Sequence, residues 1–269
     1  MVFISNILAH MPRTSAQVER RRRRLEQMIC REGGVDTTEA AERLGVSAMT
    51  IRRDLRAMEE GGAVVRRYGG AVPAQRITFE FAFDKRRRRN LAQKRRIGAA
   101  AARRVKPEET VFLDTGTTTL EVARALAREG PPCTVVTSSL LIASSLWAQK
   151  DIGLILVGGR VRRGSPDLVG PGTELMLDRL TADVAFVGSD GIEAERGSFA
   201  ADMETARVAE RMAANAGRVV VVADASKLGK AGGARYIATE GIGELITDRA
   251  ADPGHVEALR DRGAVVTLV

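Results

Sequence analysis

The chain has 269 residues, of which 44% are hydrophobic and 28% charged, with a formal net charge of +8. That length predicts two domains, and the composition predicts a soluble globular protein with a sizeable aliphatic core. No run approaches the ~20 apolar residues of a membrane helix, and the opening residues lack the basic start and cleavage site of a secretory leader.

A cytoplasmic location without membrane attachment is therefore expected. Residues 1–16 read as a tail, with Met11 as an alternative initiator to Met1. Cys30 and Cys133 lack metal-ligand spacing and read as two buried, reduced thiols. His10 and His255 are the only histidines, which argues against Ser-His-Asp catalysis and histidine-based metal sites. No metal and no cofactor is expected. Residues 1–104 hold 24 Lys/Arg against 11 Asp/Glu, a net of +13; residues 105–269 hold 18 against 23, a net of −5. A polyanion would thus be drawn to the first part of the chain. The runs Arg20–Arg24 and Arg86–Arg89 read by themselves as solvated helix faces.

Residues 17–32 predict a helix with Val18, Leu25, Met28 and Ile29 as its apolar stripe, ended by Gly33-Gly34. Thr37 or Thr38 is the expected cap of a short second helix that Gly45 stops. Ser47 caps a third helix reaching about Glu60, where Gly61-Gly62 ends it. The segment AVVRRYGGAVP reads as two short strands around a turn, a wing. With Ile51 set at zero, Leu55 and Met58 fall within about 40° of it at ~100° per residue, a stripe for packing on the first two helices. Met49, Arg52, Arg53 and Arg56 fall on the opposite side, where they could enter a major groove and contact phosphate or guanine. Ser47 and Thr50 could give hydroxyl bonds to phosphates or base edges. Asp54 flanks the apolar stripe and reads as an internal partner for an arginine. A charged face on an ordinary helical bundle is the plain alternative, and the helix–turn–helix spacing with a following wing weighs against it.

A basic linker is expected over 74–95 and an α/β domain over 96–269, after a winged helix-turn-helix over 17–73. From Thr110 onward short apolar runs (TVFLD, TVVT, IGLILVG, ADVAFVG, RVVVVAD, GELITD, AVVTLV) alternate with helical stretches. That alternation predicts a mostly parallel sheet covered on both faces. Polar loops follow the strands, and ligands of open α/β sheets bind at such carboxyl ends. Asp114-Thr115-Gly116-Thr117-Thr118 sits at a strand-to-helix turn whose free N–H groups and hydroxyls suit a phosphate. Simple helix capping is the competing reading of that turn. Lys227 supplies a cation, and Asp114, Asp190 and Glu204 could accept sugar hydroxyls. For each carboxylate taken singly, a cap or surface ion pair explains it as well.

The run LGVSAMTIRRDLRAMEEGGAVVRRYGGAV resembles the DeoR family of bacterial transcription regulators. Val46, Ser47, Thr50, Ile51, Arg52, Arg53, Asp54, Leu55, Gly69, Gly70 and Ala71 match its signature, within which Arg66 and Arg67 look like wing residues. FLDTGTT, VVTSSL, LVGG and ADASK look like the family's sensor domain, similar in fold to the sugar-phosphate isomerase and CoA-transferase group. The resemblance implies an effector site drawn from Asp114, Gly116, Thr117, Thr118, Gly158, Gly159, Glu204 and Lys227. It departs at Ser138, where the family commonly has Asn, so the effector could differ. Its partners would be operator double-stranded DNA and a phosphorylated sugar, acting on a homodimer or homotetramer. The resulting expectation is a regulator, by default a repressor of a carbohydrate-metabolism operon, and not an enzyme. A sugar-phosphate isomerase with a DNA-binding appendage, using Asp114, Glu204 and Lys227 for proton transfer, is the alternative from another class. Non-specific nucleic-acid binding through the arginine runs is a third.

Overall fold

The computed structural model describes residues 15–61, 63–73, 83, 85–162 and 165–269. Residues 1–14 of the expected tail, with His10 and Met11, Gly62, the Cys30 side chain and most of the first half of the expected linker lie outside them, while Ser15 and Ala16, expected as tail, open the first helix. The chain divides into two compact units, parted between Ala82 and Phe83.

The first unit runs α1 (Ser15–Glu32), β1 (Val35–Asp36), α2 (Thr37–Leu44), α3 (Ala48–Glu60), β2 (Val64–Arg67) and β3 (Gly70–Pro73). Leu25 and Ile29 of α1, Ala40 and Ala41 of α2, and Ile51, Leu55 and Met58 of α3 close one apolar core with Val64 and Ala71 of the wing. Each fully buried aliphatic side chain contributes ~1.5–3 kcal/mol, so this small core is held by few residues. The second helix is capped by Asp36, whose carboxylate accepts the N–H groups of Thr38 and Glu39. That corrects the expected Thr37 or Thr38 cap: Thr37 is buried and is already the first helical residue, so the capping position falls one residue earlier, on Asp36. Ser47 caps α3 as its sequence context implies, accepting from Thr50 N–H at 3.2 Å. A third strand, β1, pairs with β3 and braces the wing. It requires glycine at position 70, where a Cβ would lie 1.9 Å from the Val35 carbonyl oxygen.

The second unit begins with Phe83, buried in its core, and a helical turn over 85–88. The helix α4 (Leu91–Ala102) follows, then β4 (Thr110–Leu113), α5 (Thr117–Glu129), β5 (Cys133–Thr137), α6 (Leu140–Leu146) and β6 (Ile152–Leu156). Residues 83 and 85–95, expected to be linker, therefore pack with this unit, because Phe83 and Lys94 are buried in it. Next come β7 (Arg160–Val161), β8 (Leu168–Val169), α7 (Pro171–Leu177), β9 (Ala182–Gly188), β10 (Gly191–Glu193), β11 (Gly197–Ala200) and α8 (Met203–Ala214). The chain ends with β12 (Ala216–Val222), β13 (Ala234–Ile237), β14 (Glu244–Thr247), α9 (Pro253–Asp261) and β15 (Val265–Leu268).

The seven apolar runs form one parallel sheet in the order β15-β14-β12-β9-β4-β5-β6. Alternate residues supply its two cores. Val111, Leu113, Val184, Phe186, Val220 and Val222 face one core, while Phe112, Ala185, Val187, Val219 and Val221 face the other. Both faces being covered explains why these strands read as continuous apolar runs. The antiparallel β10-β11-β13 sheet and the β7-β8 hairpin were not foreseen; their strands are too short and mixed for a period to register. The strand order reverses between β4 and β9, which leaves a crevice at their carboxyl ends.

Candidate functional site

In the first unit α3 presents Met49, Arg52, Arg53 and Arg56 to solvent, Met49 being 65% exposed. Opposite them Asp54 is buried and takes a bidentate bond from Arg21 (2.6 and 3.2 Å) and a third bond from Arg22 at 3.1 Å. The arginine pair on α1 thus fixes the rotation of α3 about its axis, and with it the direction of the arginine face. Two members of the Arg20–Arg24 run accordingly have a structural job besides solvation. Ser47 and Thr50 lie at the exposed start of α3, their hydroxyls 2.9 Å apart. The Arg56 guanidinium reaches Glu60 one turn on, at 3.3 Å. Across a groove from Arg52 stand Arg66, Arg67 and the fully exposed Tyr68 at the wing tip. The wing is tied to α3 by the Arg66 N–H, which donates to Glu59 at 2.9 Å. Tyr68 escaped the sequence reading, since a lone aromatic in a turn carries no periodic signal.

In the second unit a cavity of about 200 Å3 opens where β4 and β9 diverge. Asp114, Gly116, Thr117, Thr118, Asp190 and Lys227 line it, six of the residues singled out from sequence. The Asp114 carboxylate bridges the reversal point by accepting the Gly188 N–H at 3.0 Å. Burial pushes this carboxyl up to about 7, against the N–H bonds from Gly188 and Thr115 that favour its charge. The helix α5 starts here at Gly116 with no side-chain cap, whereas α2, α3, α6, α8 and α9 are capped by Asp36, Ser47, Ser139, Asp202 and Asp252. Its N-terminal N–H groups and partial positive charge are thus presented to the cavity. Lys227 reaches Asp190 at 3.2 Å.

Four more cations line the cavity: Arg86, Arg89, Lys94 and Arg162. Arg86 and Arg89, the first and last of the run read as a solvated face, are exposed and also line the cavity. The buried Lys94 ammonium donates to the carbonyls of Arg86 (2.5 Å) and Arg89 (2.8 Å), holding the 85–88 turn against the unit. Burial lowers the Lys94 pKa. Asn90 fastens the same turn to Asp224 at 2.9 Å. Burial raises the Asp224 pKa, but bonds from Ser226 and Asn90 and the Lys94 charge outweigh it and hold the carboxylate low. Arg162 divides its guanidinium between Asp202 (2.5 Å) and Asp167 (3.1 Å), and its buried Nε has no partner among the described residues. These cations were missed because they come from two stretches of chain, 86–94 and the segment after β7, that only the fold brings together.

Four expected effector residues are not among those lining the cavity. Ser138 is fully buried, its hydroxyl without a partner among the described residues, and its carbonyl accepts the Leu168 N–H. Gly158 meets Met176, whose sulfur accepts its N–H at 3.1 Å. Gly159 lies against α7, where a Cβ would come within 2.0 Å of the Thr173 hydroxyl; it is needed for packing. Glu204 is on the exposed first turn of α8, paired with Arg160. The proton-transfer trio Asp114, Glu204 and Lys227 is therefore not assembled. Cys133 is buried, which pushes its thiol up to about 11.

Asp114 sets an expected pH dependence. Its folded pKa lies above the ordinary 3.8, so the native state holds a proton that the unfolded chain releases first. Stability from this group is full below about pH 4 and is lost as pH rises to about 7, by a few kcal/mol at most. Melting of wild type and Asp114→Asn at pH 5 and pH 8 should show a smaller pH difference in the variant. Equal differences would mean that Asp114 titrates normally.

Comparison with known proteins reports on both units. The model of the DeoR-like helix-turn-helix domain matches residues 21–76, and that of the DeoR C-terminal sensor domain matches 89–249. The HTH-type transcriptional regulator GlpR of Haloferax volcanii is 35% identical over 246 residues, covering 91% of this chain and 96% of that protein. The regulator UlaR of Shigella dysenteriae is 30% identical, again over 91% of this chain and 96% of its own length. Among solved structures, ribose 5-phosphate isomerase A of Neisseria gonorrhoeae aligns at 20% identity and TM-score 0.38, covering 50% of this chain and 52% of that one. So partial a likeness carries no functional weight. No helix of the described residues is long and apolar enough to cross a membrane.

Proposed function

The chain belongs to the DeoR family of helix-turn-helix transcriptional regulators, and on that premise we propose that it is a cytoplasmic repressor of a carbohydrate operon whose hold on operator DNA changes when a phosphorylated sugar fills the cavity at the ends of β4 and β9. The observation that carries the effector class is the cavity's charge. Arg86, Arg89, Lys94, Arg162 and Lys227 line it with Asp114, Asp190 and Asp224; Arg162 is held by Asp202 and Asp167 and Lys227 by Asp190, which leaves Arg86, Arg89 and Lys94 as the excess of positive charge, while burial pushes the Asp114 carboxyl up to about 7. An uncapped helix start within a cationic pocket suits a phosphate, and the carboxylates and threonine hydroxyls suit the hydroxyls of a sugar. Phosphate contacts fall to Gly116, Thr117, Thr118, Arg89 and Lys227 in this reading, and sugar hydroxyls to Asp114 and Asp190.

The DNA contacts fall to Met49, Arg52, Arg53 and Arg56 in the major groove. Ser47 and Thr50 take backbone phosphates, and Arg66 and Arg67 extend the contact along the wing. Two copies would read paired half-sites. Binding rather than turnover is favoured because the third member of the proton-transfer trio, Glu204, is engaged with Arg160 on the surface. The effector must bind the DNA-competent and incompetent states unequally, since equal affinity shifts nothing.

The test is thermal melting of the full chain with pentose and hexose phosphates, their parent sugars and inorganic phosphate. A cognate sugar phosphate at a hundred times its dissociation constant should stabilise by about 2.7 kcal/mol, the parent sugar far less. Arg89→Ala and Lys227→Met should each abolish the shift. If no phosphorylated sugar moves the melting of the wild type, the effector class is wrong.

A further inference from the structure

The chain passes from the first unit into the second between Ala82 and Phe83, and its next few residues build one wall of the cavity. Phe83 is buried in the core, with the Arg86 guanidinium 5.9 Å from the centre of its ring. The turn over 85–88 follows, and Asn90, in a left-handed backbone (φ 53°), leads into α4. Lys85, Arg86, Arg88 and Arg89 are exposed, so little apolar burial holds the turn in place. Polar bonds do so instead: Lys94 donates to the Arg86 and Arg89 carbonyls, and Asn90 donates to Asp224.

The two groups at the fixed ends of these bonds, Lys94 and Asp224, themselves line the cavity. A ligand that fills it therefore meets the fastening of the turn. Lys94 is 4% exposed, and the two carbonyls take two of its three ammonium protons, leaving one with no partner among the described residues. The excess of positive charge, Arg86, Arg89 and Lys94, also comes wholly from this stretch. The facing wall, by contrast, is fixed to the sheet, with Asp114 bonded to Gly188. We propose that residues 85–90 form a strap through which the filled cavity acts on DNA reading. An anion held between the start of α5 and Arg86, Arg89 and Lys94 fixes the strap, and the strap is the part of the cavity nearest in the chain to the DNA-reading unit. The difference in affinity that a switch requires then lies between fastened and released strap.

This inference rests on the reading of the cavity as an effector site, and its test separates the two. The probes are inorganic phosphate and whichever pentose or hexose phosphate raises the melting of the wild type most. In the full chain that sugar phosphate should slow hydrogen exchange at the amides of 85–90. It should also change affinity for an operator, selected from a random duplex pool, by about tenfold. Asn90→Gly keeps the left-handed backbone and removes only the bond to Asp224. It should retain the melting shift while its operator response drops to about twofold or less. Arg88→Ala, on the same turn and not lining the cavity, should retain both. If no anion shifts the melting, effector class and strap fall together. If inorganic phosphate alone reproduces every effect, the sugar is removed from the reading and the strap stands. A bound ligand that leaves exchange at 85–90 unchanged, a full operator response in Asn90→Gly, or an equal loss in Arg88→Ala overturns the strap alone.

Discussion

Asp54→Ala should loosen the DNA-reading unit by about 3–5 kcal/mol, toward the lower figure because Arg22 is 38% exposed. Asp54 is 1% exposed and satisfies Arg21, itself largely buried, through two bonds. Removing the carboxylate strips the Arg21 guanidinium of both bonds at a site where only 11% of its side chain reaches solvent. In a unit this small, each kcal/mol moves the melting midpoint by about 4–8 °C, so its transition should fall by more than ~10 °C. Asp54→Asn keeps one acceptor and should fall less. Arg21→Ala combined with Asp54→Ala should recover part of the loss, because no charge is then stranded. Hydrogen exchange at the amides of α3 in the full chain reads the same effect locally. Protection of α3 unchanged in Asp54→Ala would remove the clamp from this account.

Arg53→Ala should leave stability nearly unchanged and cost operator preference, because the side chain is exposed on α3. An operator can be selected from a random duplex pool with the wild-type protein. Affinity for it should fall by the ~1–3 kcal/mol of one bidentate base contact, about 5- to 150-fold. Affinity for random duplex should fall less, since phosphate contacts elsewhere persist. Arg66→Ala on the wing should instead weaken both duplexes alike and lower the salt dependence by about one counterion. Equal losses on both duplexes for Arg53→Ala would favour non-specific binding through the arginine runs.

Legibility in the sequence depended on locality. Ile51, Leu55 and Met58 declare a helix face because residues three and four apart lie on one side of a helix, and their opposite face follows by subtraction. Asp54 could be assigned an internal arginine partner from its angle alone, but which arginine was invisible: Arg21 and Arg22 are more than thirty positions away. The turn from Asp114 to Thr118 was legible as an anion cradle because strand, glycine and helix start are contiguous. Glu204, Gly158, Gly159 and Ser138 were drawn into the same site by motif, although each follows or precedes a strand whose end points elsewhere or meets a packed neighbour.

By itself the sequence determined the elements and their chemistry: three helices and a wing, seven apolar runs fit for a doubly covered parallel sheet, and the polar turns after them. Periodicity and capping are properties of neighbouring residues, so they survive in one dimension. Tertiary structure alone decided that the order reverses between β4 and β9, and hence which of the many polar turns share a cavity. It also brought Arg86, Arg89, Lys94 and Arg162 to that cavity, because a cluster of cations from distant segments exists only once the sheet has set their separation. Among the described residues it pairs β6 on one side only, which the run Ile152–Leu156 does not disclose, since an apolar strand reads alike whether one neighbour covers it or two.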